Sequence, residues 1–317
     1  MGVTVLLVLL GVVAAFYVGA FGYLGVTFAL MRPHAEPRPL PSAARSFLFE
    51  LLCVALVQPW LPFFYFVGRR MGGAPGGVPI VFVHGYFQNR VDFVYLARIL
   101  RAAGLGPLFA INYPFLASVK DNAARLARFC ARVRAETGAA HVDLVCHSLG
   151  GLVALELVRQ DPAHVRRCVT VASPHAGVVF RGPILGASGR DLRAGSELVR
   201  QLGASRAAVP VLSIYSSHDN VVHPKLTSAL AARGGEDVEV AHFGHFGILF
   251  SRTVAAHIVA FLRPEEAPAG LARAEVDVAP ATPATRVVER GDEAAEAAEG
   301  DDADEPGRAL SGSPPPP

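Results

Sequence analysis

The chain has 317 residues, 52% of them hydrophobic, with a mean hydropathy of +0.37 and a formal net charge of +2. A soluble domain averages about 45–50% apolar residues even when glycine is counted, so the sequence carries an apolar excess beyond what one core needs. The length suits one compact domain with accessory segments, or two small domains, and the absence of a basic–aromatic pattern excludes nucleic acid as a partner.

Residues 1–31 contain no charged side chain. Roughly 20 apolar residues suffice to cross a bilayer, so this run predicts a transmembrane helix. It lacks the basic start of a cleaved leader and is longer than a leader's apolar core, which weighs against that alternative and leaves a buried core helix as the other. Residues 32–46 form a basic connecting loop with Arg32, Arg38 and Arg45.

Residues 47–68 read as a second transmembrane or membrane-interfacial segment, with Glu50 near one end. Pro59 and Pro62 kink or end a helix there, and Trp60 and Tyr65 suit an interfacial depth. The arginines of the loop point to the cytoplasm by the positive-inside tendency, whereas Arg69 and Arg70 argue the other way. The side on which the following domain lies stays open.

Residues 69–77, with the run GGAPGG, predict a flexible boundary, and residues 78–263 a single α/β domain. Short apolar strands are expected at Pro79–Gly85, Pro107–Tyr113, His141–Ser148, Cys168–Pro174, Pro210–Ser216 and Asp237–Phe243. Helical runs at Phe93–Gly104, Asp121–Thr137, after Ser148 and through Leu262 separate or follow them. Strand–helix alternation implies a mainly parallel sheet covered on both faces. Residues 264–317 hold 13 acidic side chains against 4 arginines, leaving about +11 on the rest of the chain. That tail, rich in Ala, Glu, Asp and Pro, cannot build a core and reads as disordered. The positive remainder favours anionic lipid headgroups or simply solubility.

The chemistry concentrates at three places. Cys146-His147-Ser148-Leu149-Gly150-Gly151 falls where a β run turns abruptly into a helical one. A serine on such a turn projects its hydroxyl while the next amide faces a developing oxyanion, making Ser148 the candidate nucleophile. Cys146 stands where the usual motif has glycine, and an ordinary helix-capping serine is the plainer alternative. Asp219 follows the strand PVLSIYS directly, and His245 lies between the last strand and the last helix. The order Ser148, Asp219, His245 is the one this architecture requires, with His245 as base and Asp219 as its orienting acid. His242 is the rival base, expected to lie within the last strand. His218 and His223 read as rim or surface residues, and Asp219 alone could be a turn residue. The amides of Tyr86 and Leu149 are the candidate oxyanion hole, with Gln88 and Asn89 as polar support. No carboxylate cluster has metal-ligand spacing, so no metal is expected, and the four cysteines look like small buried hydrophobes.

With VHGYFQN, CHSLGG, SSHDNVVHP and GHFGIL, the sequence resembles the bacterial lipase and esterase branch of the α/β-hydrolase superfamily over residues 78–263. SPHAG (173–177) and DLRAGSELVRQL (191–202) add to the resemblance, and a short insertion at 178–209 departs from the large movable lid of some relatives. The resemblance implies cofactor-free hydrolysis of carboxylic esters through an acyl-enzyme. A membrane location, in a bacterial inner membrane, and hydrophobic or lipid esters as substrates follow as expectations; protein partners stay open. An acyltransferase with the same residues and a non-enzymatic membrane scaffold are the two alternatives.

Overall fold

The computed structural model describes residues 2–179 and 184–263; the acidic tail lies outside the described residues. Seven strands form one sheet in the order β1-β3-β2-β4-β5-β6-β7. They are β1 (Arg70–Gly72), β2 (Ile80–Val83), β3 (Leu108–Ala110), β4 (Val142–His147), β5 (Val165–Val171), β6 (Val211–Ser216) and β7 (Glu236–Val240). All neighbours run parallel except β1, which pairs antiparallel with β3 at the edge. The central strands β2, β4 and β6 are buried along their whole length, as a sheet covered on both faces requires; β2 is wholly apolar, while β4 and β6 also bury polar side chains such as Asp143 and Ser213.

Helices α4 (Val119–Thr137) and α5 (Leu149–Gln160) cover one face, and α3 (Val94–Ala102) and α8 (Arg252–Leu262) the other. Local chemistry sets several boundaries. Ser118 caps α4 by accepting from the amide of Asp121, and Gly138 ends it at φ +71°. Ser251 caps α8 in the same way. In the 178–209 segment the chain forms two short helices, α6 (Gly186–Asp191) and α7 (Glu197–Gly203).

Helix α1 (Gly2–Met31) is followed by a short turn at Arg32–His34 and by α2 (Leu40–Val57). Both are long and apolar enough to cross a membrane, by length and composition. Their environments differ. Most of the described α1 side chains are exposed, Leu24 and Met31 being buried, whereas α2 buries Ser46, Glu50 and Cys53. Cys53 belongs to the same apolar cluster as α3 and α8, with Phe49, Val54 and Val57 packed against it. Pro59 and Pro62 lie in the 3-10 turn Gln58–Phe63 that follows α2, where the missing amides of proline end the regular helix.

Three local expectations differ from the structure. Residues 40–46, read as connecting loop, form the first turns of α2, because Pro39 and Pro41 sit where a helix tolerates proline. Arg70–Gly72, read as flexible, is an edge strand, and Arg69 and Arg70 both pair with Glu136 of α4. His242 lies beyond the end of β7 at φ +69°, a conformation that breaks the ladder.

Candidate functional site

The sheet order reverses at β2, which has β3 on one side and β4 on the other. Ligands of open parallel sheets bind at such a switch, outside the carboxyl ends of the strands. Here β2 ends in Val83-His84-Gly85-Tyr86 and β4 in His147-Ser148.

Ser148 has φ +54° and ψ −123°, a backbone state that residues with a side chain rarely adopt. Its amide donates to the carbonyl of Val171 on β5, and α5 begins at the next residue. The turn is possible because the groups around it are small. A side chain on Gly150 would run into the carbonyls of Val83 and His84, and one on Gly151 into Ser173. Cys146, in the usual glycine position, is tolerated because it lies within β4, fully buried and paired in register with Val83 and Thr170. Burial raises its thiol well above the ordinary value, so it acts as a neutral apolar group.

Three expected residues come together. His245 Nε2 lies 2.9 Å from Ser148 Oγ, and His245 Nδ1 lies 2.9 Å from Asp219 Oδ2. With Asp219 ionised, Nδ1 donates to it and Nε2 is free to accept from the serine hydroxyl. The other oxygen of Asp219 accepts from the amides of Val221 and Val222 at 2.8 and 2.7 Å, which fixes the carboxylate. Burial would lower the pKa of His245, but the charge and hydrogen bond of Asp219, with a smaller contribution from Glu50, outweigh it and hold the imidazole above its usual value. Asn220 Oδ1 accepts from the amide of His245 at 2.8 Å.

Two further histidines brace the site, and their motifs gave no sign of it. His84 is buried and stacked on Tyr113 with ring centroids 4.1 Å apart. Its Nδ1 lies 2.9 Å from the Gly85 carbonyl and its Nε2 accepts from the Tyr113 amide, contacts that a neutral Nδ1–H tautomer satisfies together. Burial pushes it down to about 4, consistent with that neutral form. His147 bridges the strand-end turns, its Nδ1 2.7 Å from Gln88 Oε1 and its Nε2 2.9 Å from the carbonyl of His245. Burial, and then the neighbouring His245, hold it well below the ordinary histidine value. Gln88 Oε1 also accepts from the amide of Gly85 at 2.7 Å, so it ties the β2 turn to His147.

The expected oxyanion donors lie at this junction. Leu149 is the first residue of α5, where an amide has no intrahelical acceptor. Tyr86 follows Gly85, which packs against Ser148, while the Tyr86 hydroxyl donates to the carbonyl of Leu185 at 2.7 Å. His218 is not a surface residue: it is buried and stacked on His242, with centroids 5.2 Å apart. His242 turns away from Ser148 toward Ser42, 2.9 Å from its Nδ1, and His223 stacks on His34. Among the described residues no three His, Cys, Asp or Glu side chains are grouped to hold a metal ion.

Residues 78–185 match the family model described as the alpha/beta hydrolase fold. The fold is that of the α/β-hydrolases. Among solved structures, the domain is similar to lipase B of Aspergillus fumigatus, at 20% identity and a TM-score of 0.52, over 58% of this chain and 52% of that one. The chain thus spans about half the length of the fungal lipase. It is also similar to the mature lipase BlEst2 of Bacillus licheniformis, at 16% identity and a TM-score of 0.52, over 60% of this chain and 93% of that one. At such identities the likeness speaks for the fold, and the α/β-hydrolase fold hosts many chemistries.

Proposed function

We propose that the protein is a membrane-attached serine carboxylic-ester hydrolase acting on hydrophobic or lipid esters. The observation that carries this reading is the continuous relay Asp219–His245–Ser148, with both contacts at 2.9 Å and the serine on a strained strand-to-helix turn. Serine is a weak nucleophile until a base removes its proton, and strain of this kind persists where a fold holds a group for use.

Ser148 Oγ attacks the ester carbonyl as its proton passes to His245 Nε2. Asp219 stabilises the imidazolium so formed. The oxyanion of the tetrahedral intermediate is held by the amides of Tyr86 and Leu149, each such donor being worth roughly 3–4 kcal/mol. The intermediate collapses, the C–O bond to the alcohol breaks, and His245 returns the proton to the leaving oxygen. A water then repeats the sequence on the acyl-enzyme, giving its proton to His245 and releasing the acid.

Membrane attachment rests on α1, whose 30 residues extend roughly 45 Å, longer than a hydrocarbon core of about 30 Å. Trp60, Tyr65 and Phe66, beyond α2, are exposed at 60%, 78% and 85%, a placement that suits the interfacial zone. Because α2 packs against the catalytic domain, the reaction would take place next to the bilayer, which favours lipid-like substrates.

The test is hydrolysis of an ester series of increasing acyl length by the full-length protein in detergent, with Ser148→Ala alongside. Turnover that depends on Ser148 supports the hydrolase reading, and a preference for long chains supports the lipid one. Acyl transfer to a competing alcohol at the expense of free acid would redirect the assignment to an acyltransferase, and no Ser148-dependent chemistry would leave the scaffold reading.

A further inference from the structure

Both loops that carry the base and its acid are docked on the N-terminal helical pair. Glu50, in the middle of α2, is 1% exposed. Its Oε1 accepts from the amide of Phe246 at 2.8 Å and its Oε2 from the amide of Gly247 at 2.6 Å. These are the two residues directly after His245. Both oxygens act as acceptors, the arrangement of a carboxylate. Glycine at 244 and 247 makes room for it: a Cβ at either position would lie 2.5 or 2.7 Å from the carboxyl group. Ser46, one turn earlier on α2, donates to the carbonyl of His242 at 2.7 Å.

The acid loop is held from α1. Asn220, which accepts from the amide of His245, donates through its Nδ2 to Thr27 Oγ1 at 2.8 Å. Further out, Lys225 pairs with Glu36 of the connecting segment. A buried acidic side chain is costly unless something specific binds it. Here that something is the backbone of the base loop.

We infer that Glu50 is a positioning residue of the active site, fixing the backbone after His245 so that its imidazole meets both Ser148 and Asp219, and that the N-terminal helical pair is therefore part of the catalytic apparatus as well as its anchor. The inference rests on the serine-hydrolase reading of the site. Glu50 touches no reacting atom. It acts by holding the loop, and when ionised its charge adds to that of Asp219 in favouring the imidazolium. The titratable groups facing His245 are Asp219 on the β6 loop, His147 at the end of β4, and Glu50 on α2.

Full-length Glu50→Gln, in detergent, keeps the size of the side chain but replaces one acceptor by an amide group facing a backbone N–H. The expected result is a 10- to 100-fold loss of kcat per phosphonate-titrated active site, with KM changed less than threefold. The acidic limb of kcat/KM, set by His245, should move to lower pH. Histidine NMR of the protein without substrate should show the same downward move of the His245 titration, a readout that needs no turnover. Thr27→Val, which removes the outer support of Asn220, should give a smaller kcat loss with no change in the pH limb. A folded Glu50→Gln protein with the wild-type kcat and an unmoved His245 titration would overturn the inference. So would a lower melting temperature with unchanged turnover per site, which is the signature of a merely structural contact. Failure of Ser148→Ala to abolish activity would instead remove the hydrolase reading, while the NMR comparison would still decide whether Glu50 governs His245.

Discussion

Gly85 packs against Ser148: a Cβ placed on Gly85 would lie 2.9 Å from the Cβ of Ser148 and 3.2 Å from the carbonyl of His147. Real Cβ atoms do not approach so closely, so the turn after β2 and the turn after β4 fit together only with glycine at 85. Gly85→Ala should therefore push the two turns apart. We expect ester hydrolysis to fall at least 100-fold and stability to drop by about 1–3 kcal/mol, the usual range for overpacking. Active-site phosphonate labelling and thermal melts measure the two effects separately; a variant that labels at the wild-type rate would refute the close fit.

Much of this was readable beforehand, and the reason is local. The apolar run of β2 is short and continuous, and those of β4 and β6 are short and broken only by isolated polar residues; all are flanked by turn residues, which is how fully buried parallel strands read. Ser148 follows β4 directly, and Asp219 and His245 lie three and five residues beyond the ends of β6 and β7, so chain order and strand order together put them at the carboxyl ends of the strands. Glu50 was different. In the sequence it is one acidic residue near the end of an apolar run, and only the fold brings residues 196 and 197 positions away onto its carboxylate. The edge strand Arg70–Gly72 was hidden for a similar reason, since its pairing with β3 and the Glu136 ion pairs are long-range contacts in a glycine-rich stretch. His84 and His147 lie inside the motifs VHGYFQN and CHSLGG, which do not reveal their bracing role, because that role depends on Tyr113, Gln88 and the His245 carbonyl.

The pH dependence of the reaction follows from His245. The base must be neutral to take the proton of Ser148, and its pKa is held above the ordinary histidine value, about 6.5. Activity should thus be lost as pH falls through a value higher than that. Asp219→Asn removes the charge that causes the rise. The acidic limb of kcat/KM should then move down, while kcat falls by roughly three to four orders of magnitude because the imidazole tautomer is no longer enforced. A pH–rate profile of both proteins checks the two effects, and an acidic limb that does not move would point to a different titrating group.

The backbone of Ser148 makes a prediction about stability that does not depend on substrate. At φ +54° a residue with a Cβ is strained by about 1–3 kcal/mol. Glycine relieves that strain but gains about 0.4–1 kcal/mol of unfolded-state entropy to lose on folding. The strain is the larger quantity. Ser148→Gly should be more stable than Ser148→Ala by about 1 kcal/mol, although both lack the hydroxyl and neither hydrolyses esters. Urea denaturation of the pair measures it, and equal midpoints would mean that the turn is relaxed.

Asp92 offers the last test, through a buried carboxyl group. It is 1% exposed in the 3-10 turn between Asn89 and α3, and only the backbone of Asn89 offsets its burial. Burial pushes its pKa up to about 8, against an unfolded value of about 4. Between those values the folded protein keeps a proton that the unfolded chain has released, so this group lowers stability progressively as pH rises through the window. Asp92→Asn has no proton to lose. Its stability relative to wild type should therefore climb from about pH 4 to about pH 8 and level off beyond, with an upper bound of about 5 kcal/mol before any relaxation of the site. Any cost of an unpaired amide would be the same at every pH and would only offset the curve. Denaturant titrations of both proteins at pH 5 and pH 8 give the slope directly, and a difference that is flat or falls with pH would show that Asp92 ionises normally in the folded state.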